Sequence, residues 1–275
     1  CRRRLALSTL LGEKEAAPAE AWLEACGQEA NVDLRLGLRS LGAGRLGQVA
    51  ALEPASVLWQ ELAANYSALR DGRTLDLPPL PAQYADWATA ERAKIQQPAF
   101  AQSLDWWKRR LDGLPALELP FDRPRPALAD HRGANVTIRV DADLARRLKE
   151  TGRAARATPF MTYFAAYCAL LHRISGAGDF AVGTPVAGRN DAGVEPMIGL
   201  FVNMLALRCD LSGDTTFNEL LARVRQRALD AYAHEDVPFE RLVAALAPAR
   251  DAARNPLFQA SFGLLGAGPR NWRLP

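Results

Sequence analysis

The run Thr158-Pro-Phe-Met-Thr-Tyr-Phe-Ala-Ala-Tyr-Cys-Ala-Leu-Leu-His-Arg-Ile-Ser-Gly-Ala-Gly-Asp-Phe-Ala-Val-Gly-Thr-Pro-Val186 reads as a helix followed by a strand. Thr158 is an N-cap residue type, and Pro159 stands where a missing N–H does no harm, so the helix starts there and runs to about Ser175. Phe180–Val186 is the strand. Downstream, Gly188–Pro196 is a polar loop, Phe201–Leu207 a second strand, Phe217–Ala233 a helix, Pro238–Leu246 a short helix and Leu257–Leu264 a last strand. Upstream, Asp143–Ala154 is an amphipathic helix and Val136–Val140 is strand-like. Asp122–Pro126 and Leu77–Pro81 are proline linkers, because successive prolines remove donors and fix φ. Ala82–Gln96, Phe100–Leu111 and Ala55–Leu69 read as helices, the last ended by Asp71-Gly72. Earlier still, Val32, Leu34, Leu36 and Leu38 alternate with polar or small residues as in a half-exposed strand, after a weak helical signal over Ala19–Gln28. Mixed α and β, with helices packed on a sheet, is the economical fold class.

Composition narrows the function classes. The chain has 275 residues, 49% hydrophobic and 24% charged, enough for one large domain or two lobes. A net charge of +3 implies no nucleic-acid partner. The longest apolar stretch, Phe160–Leu171, is too short to span a membrane, and no signal peptide is read. Cys1, Cys26, Cys168 and Cys209 form no CxxC or zinc spacing, so a reduced, cytoplasmic chain without a metal is expected. A start at Cys1 rather than Met, and an uncapped end at Pro275, suggest a piece of a longer protein.

Gly42-Ala-Gly-Arg-Leu-Gly47 matches GxGxxG, but the strand before it alternates and no acid-tipped second strand follows, so it reads as a glycine-rich turn. GxxxxGK[ST], GxSxG and HExxH are absent from the sequence. Histidine occurs only at His131, His172 and His234. His172 falls near the end of an apolar helix, where packing is the common role, and His131 in a loop.

Four further stretches carry polar residues in marked settings. In Ile198–Arg208, Asn203 is the short polar side chain of an apolar run; it either satisfies backbone or faces a site. In His234–Glu240, His234 suits the last turn of one helix, while Asp236 and Pro238 suit the start of the next. Arg250, Asp251 and Arg254 are placed to tie a loop before the last strand, with Asn255 following. Tyr84, Asp86 and Trp87 share one short helix that suits packing of two lobes, and Arg189 either braces a channel or is a solvated loop arginine.

In order, Tyr84-Ala-Asp-Trp-Ala88, Ile198-Gly-Leu-Phe-Val-Asn-Met-Leu-Ala-Leu-Arg208, His234-Glu-Asp-Val-Pro-Phe-Glu240 and Arg250-Asp-Ala-Ala-Arg-Asn-Pro-Leu257 resemble the core motifs of condensation domains of nonribosomal peptide synthetases. Leu77–Pro81, Trp107–Leu114, Leu119–Pro126 and Val182–Arg189 are similar too, and the likeness covers about Ala55 to Leu264. The resemblance implies a chloramphenicol-acetyltransferase-like two-layer α/β sandwich. It implies a partial N-terminal lobe over 1–130, atypical in 1–54, and a nearly complete C-terminal lobe over 131–275. It implies amide-bond formation between aminoacyl or peptidyl thioesters in secondary-metabolite biosynthesis. No cofactor is expected to bind directly; phosphopantetheine belongs to partner carrier (thiolation) domains, which work beside an adenylation domain. Asn203 and Arg189 would lie along the substrate channel. Tyr84, Asp86, Trp87, His234, Asp236, Pro238, Arg250, Arg254 and Asn255 would be structural motif residues.

The family is known for an HHxxxDG loop ahead of a helix of the Ala55–Leu69 type, whose second His orients or deprotonates the attacking amine. Imidazole is the side chain best matched to that proton near neutral pH. Here no histidine precedes His131; a gap-free count puts Leu46 and Gly47 at the histidine positions and Ala51-Leu52 at Asp-Gly. None of these side chains accepts a proton. The chain as written is therefore expected to be inactive in condensation, or to be a non-catalytic docking platform of the same fold for carrier or tailoring proteins.

Overall fold

The structure, a computed structural model, describes residues 54–73, 77–126, 134–246, 251 and 254–264. The sequence expectations at 19–28, 32–38 and 42–47, with Leu46, Gly47, Ala51, Leu52, His131 and Arg250, lie outside the described residues. In chain order the elements are α1 (Pro54–Arg70), α2 (Tyr84–Lys94), α3 (Pro98–Leu111), α4 (Ala142–Ala154), α5 (Pro159–Ser175), β1 (Asp179–Val186), β2 (Asn203–Asp210), α6 (Phe217–Tyr232) and α7 (Phe239–Leu246). No described helix is long and apolar enough to cross a membrane.

The described chain forms two compact units: residues 54–94 with 189–202, and residues 95–188 with 203–264. Helix α3 belongs to the second unit, because Trp107 shares a core with β1 and β2.

The second unit is built on an antiparallel pair. β1 and β2 run in register from Asp179 opposite Asp210 to Val186 opposite Asn203. Phe180 through Thr184 are buried without a break, so both faces of β1 are covered. On the other edge of β1, the Gly183 N–H donates to Ala260 O (3.0 Å) and the Phe262 N–H donates to Gly183 O (2.8 Å), a single parallel bridge. A Cβ at Gly183 would stand 2.4 Å from the Phe258 ring, so the absent side chain is what lets that ring lie on the strand.

Helix α5 starts as its sequence indicates: the Thr158 side chain accepts from the Met161 N–H, and Gly176 closes the helix in the left-handed conformation, φ 73°. It buries Met161, Phe164, Ala165, Cys168 and Leu171, a stripe at helical spacing. Helix α6 opens with a capping box in which Thr216 and Glu219 bond each other's backbone N–H, a contact that holds the Glu219 carboxyl below its ordinary range. It buries Leu220, Leu221, Val224, Ala228 and Ala231 on one face and packs against α5 and β2.

Three sequence expectations are corrected. Val136–Val140 is no strand: Val136, Ile138 and Val140 are 86%, 83% and 52% exposed, and no ladder partner is present among the described residues. Alternation signals which side chains share a face but supplies no partner backbone. Leu257–Leu264 contributes only the bridge at Ser261; before it, Asn255 ties its own neighbourhood by accepting from the Leu257 N–H (3.3 Å) and the Gln259 amide (2.7 Å). The strand expected at Phe201–Leu207 runs from Asn203 to Asp210, because Gly199 to Phe201 belong to the aromatic cluster of the first unit.

Candidate functional site

In the second unit, Asn203 opens β2 and is occupied on all sides. Its amide nitrogen donates to Glu235 O (2.9 Å) and Val237 O (2.8 Å); its carbonyl oxygen accepts from Met204 N–H (2.8 Å) and Phe239 N–H (3.0 Å). Two donors and two lone pairs are the whole capacity of a carboxamide. The connection between α6 and α7 is thereby lashed to the first residue of β2.

The same connection is held from α3. The buried Trp107 indole donates to His234 O (2.8 Å), and His234 Nδ1 shares a hydrogen with Ser103 Oγ (3.1 Å). Trp106 stacks on the imidazole at 4.4 Å and meets Trp107 edge-on at 4.9 Å. His234 lies just past the end of α6 rather than in its last turn, since α6 closes at Tyr232 with Ala233 as C-cap. Pro238 sits at the start of α7 as expected, its carbonyl accepting from Arg241 and Leu242, while Asp236 is exposed.

Sequence reasoning missed Arg208 and Asp179 as partners. Arg208 bonds Asp179 through Nε (2.9 Å) and Nη2 (2.6 Å), and its Nη1 donates to Arg110 O (3.1 Å) and Asp112 O (2.7 Å). The register explains the pair: Asp179 faces Asp210, two residues from Arg208, so the two side chains are diagonal neighbours on one face. The Asp179 contact raises the pKa of Arg208 further. A charge at the end of each of two otherwise apolar strands was the available signal. Arg227 extends the network to Arg208 O (2.9 Å) and Asp210 (3.3 Å); Asp210, bonded first of all by Ser212, is held below its ordinary range.

Arg254 pairs with Glu118 and with Asp251 (3.2 Å), and Glu118 is held below its usual range by that guanidinium. The charge-tied loop expected here forms through those partners. His172 Nδ1 bonds Ala177 O (2.8 Å) at the end of α5, a packing role.

In the first unit, Tyr84, Trp87 and Phe201 form an aromatic cluster: Tyr84 and Trp87 stack at 5.2 Å, and Phe201 meets both edge-on at 5.4 and 4.7 Å. The Tyr84 hydroxyl donates to Leu200 O (3.1 Å); burial pushes its pKa up, and the bond to that carbonyl works the other way. Asp86 accepts from Gln83 N–H (2.8 Å), securing the start of α2. Arg189 lies over the Phe201 ring at 4.4 Å, and its Nη1 donates to Val194 O (2.6 Å) and Glu195 O (3.0 Å).

Gly199 makes that cluster possible. A Cβ there would stand 2.4 Å from Tyr84 Cδ2, so Gly199→Ala is expected to expel the ring. The expected cost is about 1–3 kcal/mol of stability, with a changed Trp87 fluorescence; an unaltered urea midpoint would contradict the packing.

Among the described residues no group of His, Cys, Asp or Glu could hold a metal. An open groove of about 530 Å³ between α4 and α5 is lined by none of the expected site residues.

The profile of the Condensation domain family matches residues 55–265. A linear gramicidin synthase of Brevibacillus parabrevis is 47% identical over 211 residues, 76% of this chain and 4% of that protein. The dimodular nonribosomal peptide synthase of Bacillus subtilis (strain 168) is 40% identical over 224 residues, 79% of this chain and 9% of that one. Among solved structures, the X-domain from teicoplanin biosynthesis is similar with a TM-score of 0.71 and 35% identity, covering 76% of this chain and 48% of that one. The same X-domain, in a complex with OxyB, gives a TM-score of 0.70. The chain thus spans a small share of its curated relatives and about half of the solved X-domain. The α/β sandwich implied by the motifs holds.

Proposed function

Because this chain belongs to the Condensation domain family of nonribosomal peptide synthetases, we propose that it holds two carrier-bound thioesters in position for amide-bond formation. The interlock at Asn203 supports this most directly. That side chain joins the Ile198–Arg208 motif to the His234–Glu240 motif through four hydrogen bonds, so residues from two family motifs are fixed as one rigid element. Positioning of two tethered reactants is what such a reaction needs from its scaffold.

The substrates are aminoacyl or peptidyl groups on the phosphopantetheine arms of carrier domains, loaded by an adenylation domain, in a cytoplasmic synthetase. In the reaction the amine nitrogen of one thioester attacks the carbonyl of the other. The tetrahedral intermediate expels the pantetheine thiolate, and the proton lost by the amine ends on that sulfur. Asn203 and Arg189 border the path through the residues they hold. The chain offers no imidazole at Gly47, so it contributes binding and orientation while the proton transfer lacks its base.

The test pairs two purified carriers, one loaded with an acyl donor and one with an aminoacyl acceptor. The chain as it stands is expected to bind loaded carriers yet to turn over roughly 10²–10⁴-fold more slowly than a version carrying an HHxxxDG loop ahead of Ala55. Turnover by the unaltered chain at the rate of the loop-bearing version would overturn the missing base. Failure of both versions to bind carriers would overturn the thioester reading itself.

A second reading has its own support. The X-domain that this chain resembles at a TM-score of 0.71 is also solved in complex with OxyB. On that reading the chain is a non-catalytic platform that recruits a tailoring enzyme, and binding of OxyB by the chain, with no condensation by either version, would favour it.

A further inference from the structure

Cys168 on α5 and Cys209 on β2 are 0% and 3% exposed, and their sulfurs stand 3.1 Å apart. None of the motifs uses them. One lies in the buried stripe of the helix and the other in the strand that Asn203 opens, so the pair spans the helix–sheet interface of the second unit. A disulfide needs sulfurs about 2.05 Å apart, so about 1 Å of approach separates contact from bond.

We propose that Cys168 and Cys209 are a latent disulfide, closed by a small-molecule disulfide such as oxidised glutathione, that staples α5 to β2. The step balances in two exchanges. One cysteine thiolate attacks the glutathione disulfide, forming a mixed disulfide and expelling one glutathione thiolate. The second cysteine sulfur then attacks the protein sulfur of that mixed disulfide and expels the other glutathione. Two electrons pass to the oxidant, and the two protons lost by the cysteines are taken up by the departing thiolates.

Burial decides the kinetics. The contact with the Cys209 sulfur, and then desolvation, push the Cys168 thiol well above the usual thiol range, so the closed core holds almost no thiolate. Oxidant reaches the pair only when α5 opens from the sheet. The cross-link therefore forms slowly in the native protein, and once formed it opposes the opening that admitted it. A synthetase in a reducing cytoplasm keeps the dithiol; under oxidising stress the breathing molecules are the ones that become locked.

The experiment uses the full chain carrying Cys1→Ser and Cys26→Ser, which leaves the pair as the only thiols. It is incubated with excess oxidised glutathione, with and without sub-denaturing urea, and mapped by non-reducing peptide mass spectrometry. The expected product is a Cys168–Cys209 link that forms about tenfold faster in the mild urea and raises the thermal midpoint by about 5 °C, reversed by dithiothreitol. A second variant, Cys209→Ala in that background, is expected to show neither the link nor the rise. Thiols that stay free when hydrogen exchange shows α5 open, glutathione adducts that never resolve, or a link without a rise in midpoint would each overturn the proposal.

Discussion

Asn203→Asp is expected to destabilise the second unit more than Asn203→Ala, although it is the nearly isosteric change. In the native chain the carboxamide nitrogen donates to Glu235 O and Val237 O, and its oxygen accepts from Met204 and Phe239 N–H. Alanine leaves all four backbone groups without that partner in a half-buried place, a loss of about 2–4 kcal/mol once water recovers part of it. Aspartate keeps the two accepting contacts but turns the donor position into a second carboxylate oxygen facing two carbonyl oxygens. Burial and those neighbours raise the folded-state pKa of the new carboxyl above its unfolded value of about 3.9. The folded state then binds more protons than the unfolded one, so the variant loses stability as pH rises from that unfolded value through the raised folded value. Below the window, a protonated carboxyl donates one bond and the deficit against wild type shrinks. Urea titrations of wild type and both variants at matched pH values read this directly; an Asp deficit that stays constant between acidic and neutral pH would mean that the side chain does not face the two carbonyls.

The sequence announced that Asn203 needed partners, because a short polar side chain in an apolar run must be satisfied. It did not announce which ones, since Glu235 to Phe239 come to it only through the turn between α6 and α7. Local signals were read correctly where the physics is local. Thr158 and Pro159 start α5 in the expected place, Gly72 stops α1 with φ 67°, and Phe180–Val186 is a strand to within one residue. Gly199 leaves the space that Tyr84 fills, a contact with a residue more than a hundred positions away that no local signal named. Long-range pairing was not legible. Val136–Val140 has the alternation of a strand but no ladder partner among the described residues, and the Arg208–Asp179 pair depends on a register that neither strand states alone. The grouping into units was hidden for the same reason, since Arg189–Val202 joins α1 and α2 across the intervening residues 95–188.

Trp107→Ala is expected to be the other severe lesion, and its comparison with Trp107→Phe separates volume from hydrogen bonding. Trp107 is 1% exposed and packs edge-on against Trp106, while its indole N–H is bonded to His234 O at 2.8 Å. Truncation to alanine empties a large volume in a close-packed core and orphans that carbonyl, at a cost of about 3–5 kcal/mol, enough to lower the thermal midpoint by roughly 10 °C. Phenylalanine refills much of the volume but cannot donate, so its cost should be about 1–2 kcal/mol, the worth of one buried bond. The stack of Trp106 on the His234 ring, at 4.4 Å, supplies a local reporter: near-ultraviolet circular dichroism should change in both variants, because His234 is positioned by the bond to Trp107. If the alanine variant lost less than about 1 kcal/mol, Trp107 would not be the buried anchor that its exposure indicates. Since Asn203 grips Glu235 to Phe239 from one side and Trp107 grips His234 from the other, the two lesions share one segment. The Asn203→Ala, Trp107→Ala double variant is accordingly expected to lose less than the sum of the single losses, because once either grip is released the segment is free and the second has less to hold.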